Sequence, residues 1–243
     1  MEAIERAAAA LRDARFVAVL TGAGVSAESG VPTFRDAQTG LWAKYDPREL
    51  ATPEAFARNP KLVWEWYAQR RAMISKVDPN AAHTALVEIE SRVPGFLLAT
   101  QNVDGLHRRA GSRKLVELHG NILRVRCSGC GVHARVWSDE SPPRCEGCDA
   151  YLRPDVVWFN ELLPEDAQGA ASDAAERCDV YVVAGTSAEV YPAAALPYAA
   201  LRNGARVIEV NPDTTPLTSS ATFALHGKAG DVLPRLVRAA FAA

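Results

Sequence analysis

The sequence has no run of about 18 or more apolar residues, which excludes a membrane-spanning helix on length. It also lacks an excess of either charge: 27 basic and 29 acidic side chains leave a formal −2 at pH 7. That balance offers no broad electrostatic footprint to a nucleic-acid backbone or an anionic membrane, so neither is an expected partner. From Met1 to Phe16 charged residues interleave with alanines. This stretch lacks the unbroken apolar core of a secretory signal, and its acidic residues argue against a transit peptide. The expected location is cytoplasmic. Repeats are absent, as are low-complexity tracts beyond alanine-rich stretches. Cysteine is scarce, with five in 243 residues, and four of them form two Cys-x-x-Cys pairs. In a reducing compartment such clustering points to metal, not to disulfides.

What is present suits a globular chain: 48% hydrophobic residues and 23% charged, at a length fitting one large domain with a small insertion. Four short apolar runs stand out, Phe16 to Thr21, Phe96 to Thr100, Val180 to Ala184 and Arg206 to Val210. Their hydrophobicity is continuous, not alternating, which predicts strands buried on both faces of a parallel sheet. Helical patterns lie between them, over Ala3 to Asp13, Lys61 to Lys76, Ala81 to Ser91, Glu165 to Cys178 and Pro192 to Asn203. The alternation predicts an α/β fold, a doubly wound parallel sheet of Rossmann-like type, with ligands at the carboxyl ends of its strands. Two segments interrupt it. Residues 34–75 are helical and aromatic and form a helical subdomain or lid; residues 123–152 are rich in Cys, Gly, Pro and Arg and form a small inserted module. The whole, 1–243, is expected to be a single domain carrying these two insertions.

The first strand runs into Thr21-Gly22-Ala23-Gly24-Val25-Ser26-Ala27-Glu28-Ser29-Gly30. Glycines let backbone amides approach a phosphate, and a helix N-terminus favours anions. A tight strand-to-helix turn without a ligand is the plainer reading, because the third glycine of the usual dinucleotide pattern is missing. The continuation Val31-Pro32-Thr33-Phe34-Arg35 adds a cation near the phosphate position. After the second strand, Gln101-Asn102-Val103-Asp104 offers amides and a carboxylate to ribose hydroxyls or an amide ligand, or else an Asx cap to a helix. The third strand ends in Gly185-Thr186-Ser187 and the fourth in Asn211-Pro212-Asp213. Four such strand ends in one chain favour a nucleotide site. His119, in Glu117-Leu118-His119-Gly120-Asn121, is a workable general base near neutrality, or a structural histidine.

Cys127-Ser128-Gly129-Cys130 and Cys145-Glu146-Gly147-Cys148 have the pattern of a zinc ribbon. Four thiolates leave no open coordination position, so a structural Zn²⁺ is expected; a redox dithiol is the rival. Cys178 reads as a core residue. Tyr67 and Arg70 are three apart on a predicted helix and share a face. They are either a core anchor and a solvated cation, or a pair facing a pocket, where the planar guanidinium could hold a carboxylate.

Taken together, Gly22 through Arg35, Gln101-Asn102-Val103-Asp104, His119-Gly120, the four cysteines and Gly185-Thr186-Ser187 closely resemble the sirtuins, the NAD-dependent protein lysine deacylases. The resemblance runs in order over nearly the whole chain. Tyr67-x-x-Arg70 resembles the branch that removes succinyl, malonyl and glutaryl groups, as does Glu189-Val190-Tyr191-Pro192. It implies that NAD is consumed as co-substrate and that Gly22, Ala23, Gly24, Ser26, Glu28, Thr33, Phe34, Arg35 and Trp42 cradle it. Gln101, Asn102, Val103 and Asp104 would hold the nicotinamide ribose and carboxamide, and Gly185, Thr186, Ser187, Asn211 and Ala229 the adenosine half. His119 and Asn102 would be catalytic, and Cys127, Cys130, Cys145 and Cys148 would ligate zinc away from the chemistry. Tyr67, Arg70, Phe159 and Val190 would bind the substrate, an acylated-lysine protein, with the enzyme acting as a monomer.

The implied reaction joins the acyl-lysine carbonyl oxygen to C1′ of the nicotinamide ribose as nicotinamide leaves. A water-free tunnel lets the weak amide oxygen compete by proximity. His119 then draws a proton along the ribose hydroxyls, and the products are free lysine, nicotinamide and acyl-ADP-ribose. One departure is Asn160, in Phe159-Asn160-Glu161, where the family usually has glycine; added bulk there bears on peptide pairing and backbone torsion. Mono-ADP-ribosyl transfer and a non-catalytic NAD or ADP-ribose sensor are the alternatives, and hydride transfer fits least.

Overall fold

Consecutive apolar residues can all be buried in a strand only where both faces of its sheet are covered. The computed structural model, which describes residues 2–33, 46, 50–134 and 141–242, has that arrangement. Its main sheet joins β1 (Phe16–Thr21), β2 (Gly95–Thr100), β3 (Leu115–Glu117), β7 (Val180–Ala184), β8 (Arg206–Asn211) and β9 (Phe223–His226). All pair in parallel, in the order β3-β2-β1-β7-β8-β9. Thr21 lies level with both Thr100 and Ala184, so three strands end together. The chain builds outward from β1 in one direction and from β7 in the other. The crevice between them is the switch point at which doubly wound sheets bind ligands.

Alternate residues of β1 feed two separate cores. Val17 and Val19 pack under α1 (Glu2–Arg12), α5 (Ala81–Arg92) and α9 (Ala229–Phe241). Ala18 and Leu20 pack under α7 (Glu165–Arg177) and α8 (Leu196–Arg202). Alanine is the contact residue of two of these helices: α1 buries Ala7, Ala8 and Ala10, and α7 buries Ala171, Ala174 and Ala175. Small side chains bring the helix backbones close to the sheet. Cys178 caps α7 and is buried, as its place in the pattern predicts.

The four strands and five helices read from the sequence are all present, with ends shifted by a residue or two. One differs in kind. Pro192 to Asn203 is a 3₁₀ turn over Ala193–Ala195 followed by α8, because Pro197, lacking an N–H, belongs in the first turn of a new helix.

Between β3 and α7 the chain forms a second, antiparallel sheet of β4 (Gly120–Cys127), β5 (His133–Ala134) and β6 (Leu152–Val156), in the order β5-β4-β6. Short helices occupy other loops: α2 (Ala23–Ala27), α3 (Pro53–Arg58), α4 (Pro60–Ile74) and α6 (Leu106–Ala110). Thr52 and Asn59 cap α3 and α4 by accepting from Ala55 and Leu62 backbone N–H groups. A third core, including Phe56, Trp66, Tyr67, Ile122, Val156 and Trp158, fastens α3 and α4 to the small sheet. Through it Tyr67, Arg70 and Ile74 of α4 come to line the same cavity as Gly22 and Gln101, the residues that follow β1 and β2.

Candidate functional site

A cavity of about 1050 Å³ opens at these strand ends. Its floor consists of two turns locked together. Gly24 N–H donates to the Gly185 carbonyl at 2.8 Å, and Gly22 N–H to that of Ala184 at 3.0 Å. A Cβ on Gly24 would fall 2.8 Å from Gly185 Cα, and one on Gly22 2.7 Å from Thr186 Cβ. Gly185 has φ +59, and a Cβ there would lie 2.4 Å from Val25 N. The glycines therefore serve first to let β1 and β7 exits touch, a role the sequence pattern alone does not separate from phosphate binding.

Across this floor runs a line of amide and hydroxyl groups. Gln101 Nε2 donates to Thr186 Oγ1 at 2.9 Å, and Asn211 Nδ2 to the Thr186 carbonyl at 2.8 Å. Asn102, buried, donates through Nδ2 to the Gly22 carbonyl at 3.0 Å and to Ser26 Oγ at 3.1 Å. Both amide hydrogens are thus engaged. Asp104 is buried and accepts from Leu106 N–H at 2.8 Å; burial raises its carboxyl above the usual range against that bond's opposing pull. Val103, Thr33 and Ser187 also line the cavity, and Ala229 borders it at the start of α9. Glu28 lines it too, but its carboxylate accepts from Gly230 N–H at 2.7 Å and so closes the N-terminus of α9. Phe34, Arg35 and Trp42 lie outside the described residues.

His119 also lines the cavity. Its Nδ1 is 2.9 Å from the Gln101 carbonyl oxygen. A carbonyl only accepts, so Nδ1 carries the hydrogen and Nε2 is left with its lone pair. Burial lowers the imidazole pKa below 6.5, with the Gln101 bond acting in the other direction. The ring is a neutral base at pH 7.

Tyr67 and Arg70 both line the cavity from α4. Tyr67 is 5% exposed, and burial pushes its phenol well above the ordinary value. Arg70 stacks on Trp66, its Cζ 5.1 Å from the ring centroid, and burial lowers its pKa. Among the described residues no carboxylate pairs with it. Phe159 and Val190 sit on loops at the cavity's edge, each 41% exposed. Asn160 has φ +69, the left-handed region that glycine prefers and asparagine tolerates among side-chain-bearing residues. Glycine would take that torsion without strain.

Cys127, Cys130, Cys145 and Cys148 converge at the far end of the small sheet, all four Sγ atoms within 4.8 Å of one another. Four sulfurs held tetrahedrally about 2.3 Å from one zinc would stand about 3.8 Å apart. The observed Cys127–Cys148 and Cys130–Cys145 separations are 3.4 and 3.8 Å. Backbone N–H groups of Gly129 and Cys130 point at Cys127 Sγ, as suits a thiolate. The set fits a structural Zn²⁺.

Several residues of the site carry no signal in the sequence. Trp158 donates its indole N–H to the Tyr67 hydroxyl at 3.0 Å. His83 and His107 lie behind the floor with ring centroids 4.8 Å apart, His107 Nε2 beside Thr21 Oγ1 at 2.9 Å and His83 Nε2 beside Ser26 Oγ at 3.4 Å. Asn80-x-x-His83 is a helix-capping spacing, and nothing in it announces a second role.

A parallel doubly wound sheet with a four-cysteine satellite and an imidazole facing the switch-point crevice defines a class of nucleotide-dependent enzymes. The profile of the Sir2 family matches residues 22–192, and the chain belongs to that family. The NAD-dependent protein deacylase of Aquifex aeolicus is 54% identical over 223 residues, covering 90% of this chain and 93% of its own. The crystal structure of a Sir2 homologue in complex with NAD superposes with TM-score 0.91 at 48% identity, over 96% of this chain and 92% of the other. A Sir2 protein solved with a deacetylated peptide and 3′-O-acetyl ADP-ribose superposes with TM-score 0.87 at 32% identity, over 97% of each.

Proposed function

We propose that this chain is an NAD-dependent protein lysine deacylase that favours succinyl and malonyl groups over acetyl. Deacylase activity with NAD as co-substrate rests on family membership and on what its relatives are named as doing and binding. The acidic preference rests on one observation: Arg70 is a mostly buried guanidinium at the cavity with no carboxylate partner among the described residues, beside a phenol that burial keeps protonated. Two adjacent donors without an acceptor suit a ligand whose end group only accepts.

In this reading Gly22, Ala23, Gly24, Ser26, Glu28 and Thr33 line the dinucleotide on the β1 side, and Gly185, Thr186, Ser187, Asn211 and Ala229 on the β7–β8 side. Gln101, Asn102, Val103 and Asp104 lie at the nicotinamide end. NAD bound there supplies the electrophilic ribose carbon. Asn102, fixed through both its amide hydrogens, orients; His119 accepts a proton at Nε2. Phe159 and Val190 flank the peptide, and the apolar third core keeps water from the acyl channel. One water, admitted after nicotinamide has gone, is consumed at the acyl carbon as the amine departs, and O-acyl-ADP-ribose, nicotinamide and free lysine leave. Zinc on the four thiolates fixes the small sheet and takes no part in the reaction. Five free thiols, four grouped at one metal site, support a reducing, cytoplasmic setting.

Mass spectrometry of the products formed from acetyl, succinyl, malonyl and glutaryl peptides with NAD tests the reading. Succinyl and malonyl peptides are expected to turn over fastest, each releasing its own acyl-ADP-ribose. Faster turnover of the acetyl peptide would sink the acidic preference and leave the deacylase standing.

A further inference from the structure

The hydroxyl of Tyr67 has two ways to bond: it can accept through its lone pairs and donate its one hydrogen. Trp158 settles half of that choice. Its indole N–H, 3.0 Å from the phenol oxygen, is a donor only, so the phenol must accept there. The phenol hydrogen therefore has to point elsewhere, and Arg70, which is also purely a donor, cannot receive it. We propose that Trp158 is a positioning residue that aims the Tyr67 hydroxyl hydrogen into the acyl end of the cavity, and that it thereby sets the discrimination between acidic and neutral acyl groups. The inference rests on the acidic-acyl reading above and adds the residue that makes the donor pair directional.

Trp158 is held hard enough to do this. It is 3% exposed. The Arg153 guanidinium sits over it, Cζ 3.3 Å from the ring centroid, and Arg153 is itself gripped by Glu161 through both Nη atoms. Glu161 also accepts from the Trp158 backbone N–H at 2.8 Å, which closes a four-residue turn on its own side chain. Phe56 bounds the ring elsewhere, with centroids 5.3 Å apart. Turning the indole away from Tyr67 would require breaking the Arg153 contact and leaving a buried N–H unpaired, so the donor stays aimed. Tyr67 is fixed in turn by an edge contact with Trp66 at 4.6 Å. Without the indole N–H, the phenol gains a free lone pair. Its hydrogen is then no longer directed, and Arg70 or a water can donate to the oxygen.

The test compares full-length wild type with Trp158→Phe, and with a protein carrying benzothienylalanine at 158, which keeps the bicyclic ring and lacks only the N–H. Matched succinyl and acetyl peptides are assayed with saturating NAD. Both variants are expected to lose about ten-fold more in kcat/KM for the succinyl peptide than for the acetyl peptide, the difference appearing in KM. Adding Trp158→Phe to Tyr67→Phe is expected to change the succinyl-to-acetyl ratio by less than about two-fold, because the group being aimed is gone. An unchanged ratio in the benzothienyl protein overturns the role of Trp158, as does equal loss on both peptides. If Trp158→Phe fails to fold, the benzothienyl protein carries the decision. A wild type with no preference for the succinyl peptide overturns the acidic-acyl reading itself, and this inference with it.

Discussion

The Nδ1 hydrogen of His119 is committed to the carbonyl oxygen of Gln101, 2.9 Å away, and Gln101 is joined through its side chain to Thr186. One residue thus fixes the tautomer of the imidazole and ties β2 to β7. Because burial lowers the pKa of His119, the base form persists below the ordinary histidine range. The acid limb of kcat/KM against pH is expected at an apparent pKa below 6.5, activity falling as pH drops through it. His119→Ala is expected to lower kcat by roughly 10²- to 10⁴-fold while NAD still binds. A limb above 6.5 would remove His119 from the role of base.

The neighbouring pair His83 and His107, rings tilted at 55°, makes a separate pH prediction, on stability. Burial lowers His83 to about 4 and His107 to about 3. Unfolded histidines, at about 6.5, take up protons first, so stability is complete above pH 6.5 and declines as pH falls toward 4. At pH 5 each residue is expected to have lost about 2 kcal/mol. Urea titrations at pH 7 and pH 5 measure the decline, to which the buried His119 also adds, and His107→Gln should flatten it by the share of His107.

Much of this fold is legible from the sequence, and the reasons differ by element. Runs such as Val180–Ala184 leave no polar face, so a doubly covered strand is the only place for them. β3 is three residues long and half-buried, β9 four, and neither has length enough for a pattern to show. Pro234 interrupts the reading of α9, although the helix accommodates it. For the site, strand ends and cysteine spacing mark most residues. Trp158, His83 and His107 are invisible because their partners are 91, 57 and 86 positions away in the chain. No local spacing encodes such pairs.

Removing one zinc ligand tests the satellite sheet. Cys145→Ser is expected to abolish binding of one zinc per chain, measured by metal analysis, and to lower the thermal midpoint by roughly 6–12 °C, the shift that about 3 kcal/mol gives at this size. An unchanged metal content would exclude the four-thiolate site.

Asn160 is held at φ +69. Asn160→Val is expected to destabilise by about 1–2 kcal/mol and to raise KM for the acyl peptide, since a β-branched residue resists that torsion. Asn160→Gly should stay within about 1 kcal/mol of the parent. If the valine protein binds peptide as tightly as the glycine one, the torsion at 160 has no bearing on substrate.

The meeting of Gly24 and Gly185 reaches beyond local packing. Main chain rests on main chain there, with no side chain between to swing or compress. The β1–β7 ladder that joins the two halves of the Rossmann-like sheet is thereby carried past the last strand residues into the two turns, so the bed for the dinucleotide is fixed by backbone alone. Little ordering is then left for the ligand to impose on that floor, and affinity gained there comes from contacts already in place.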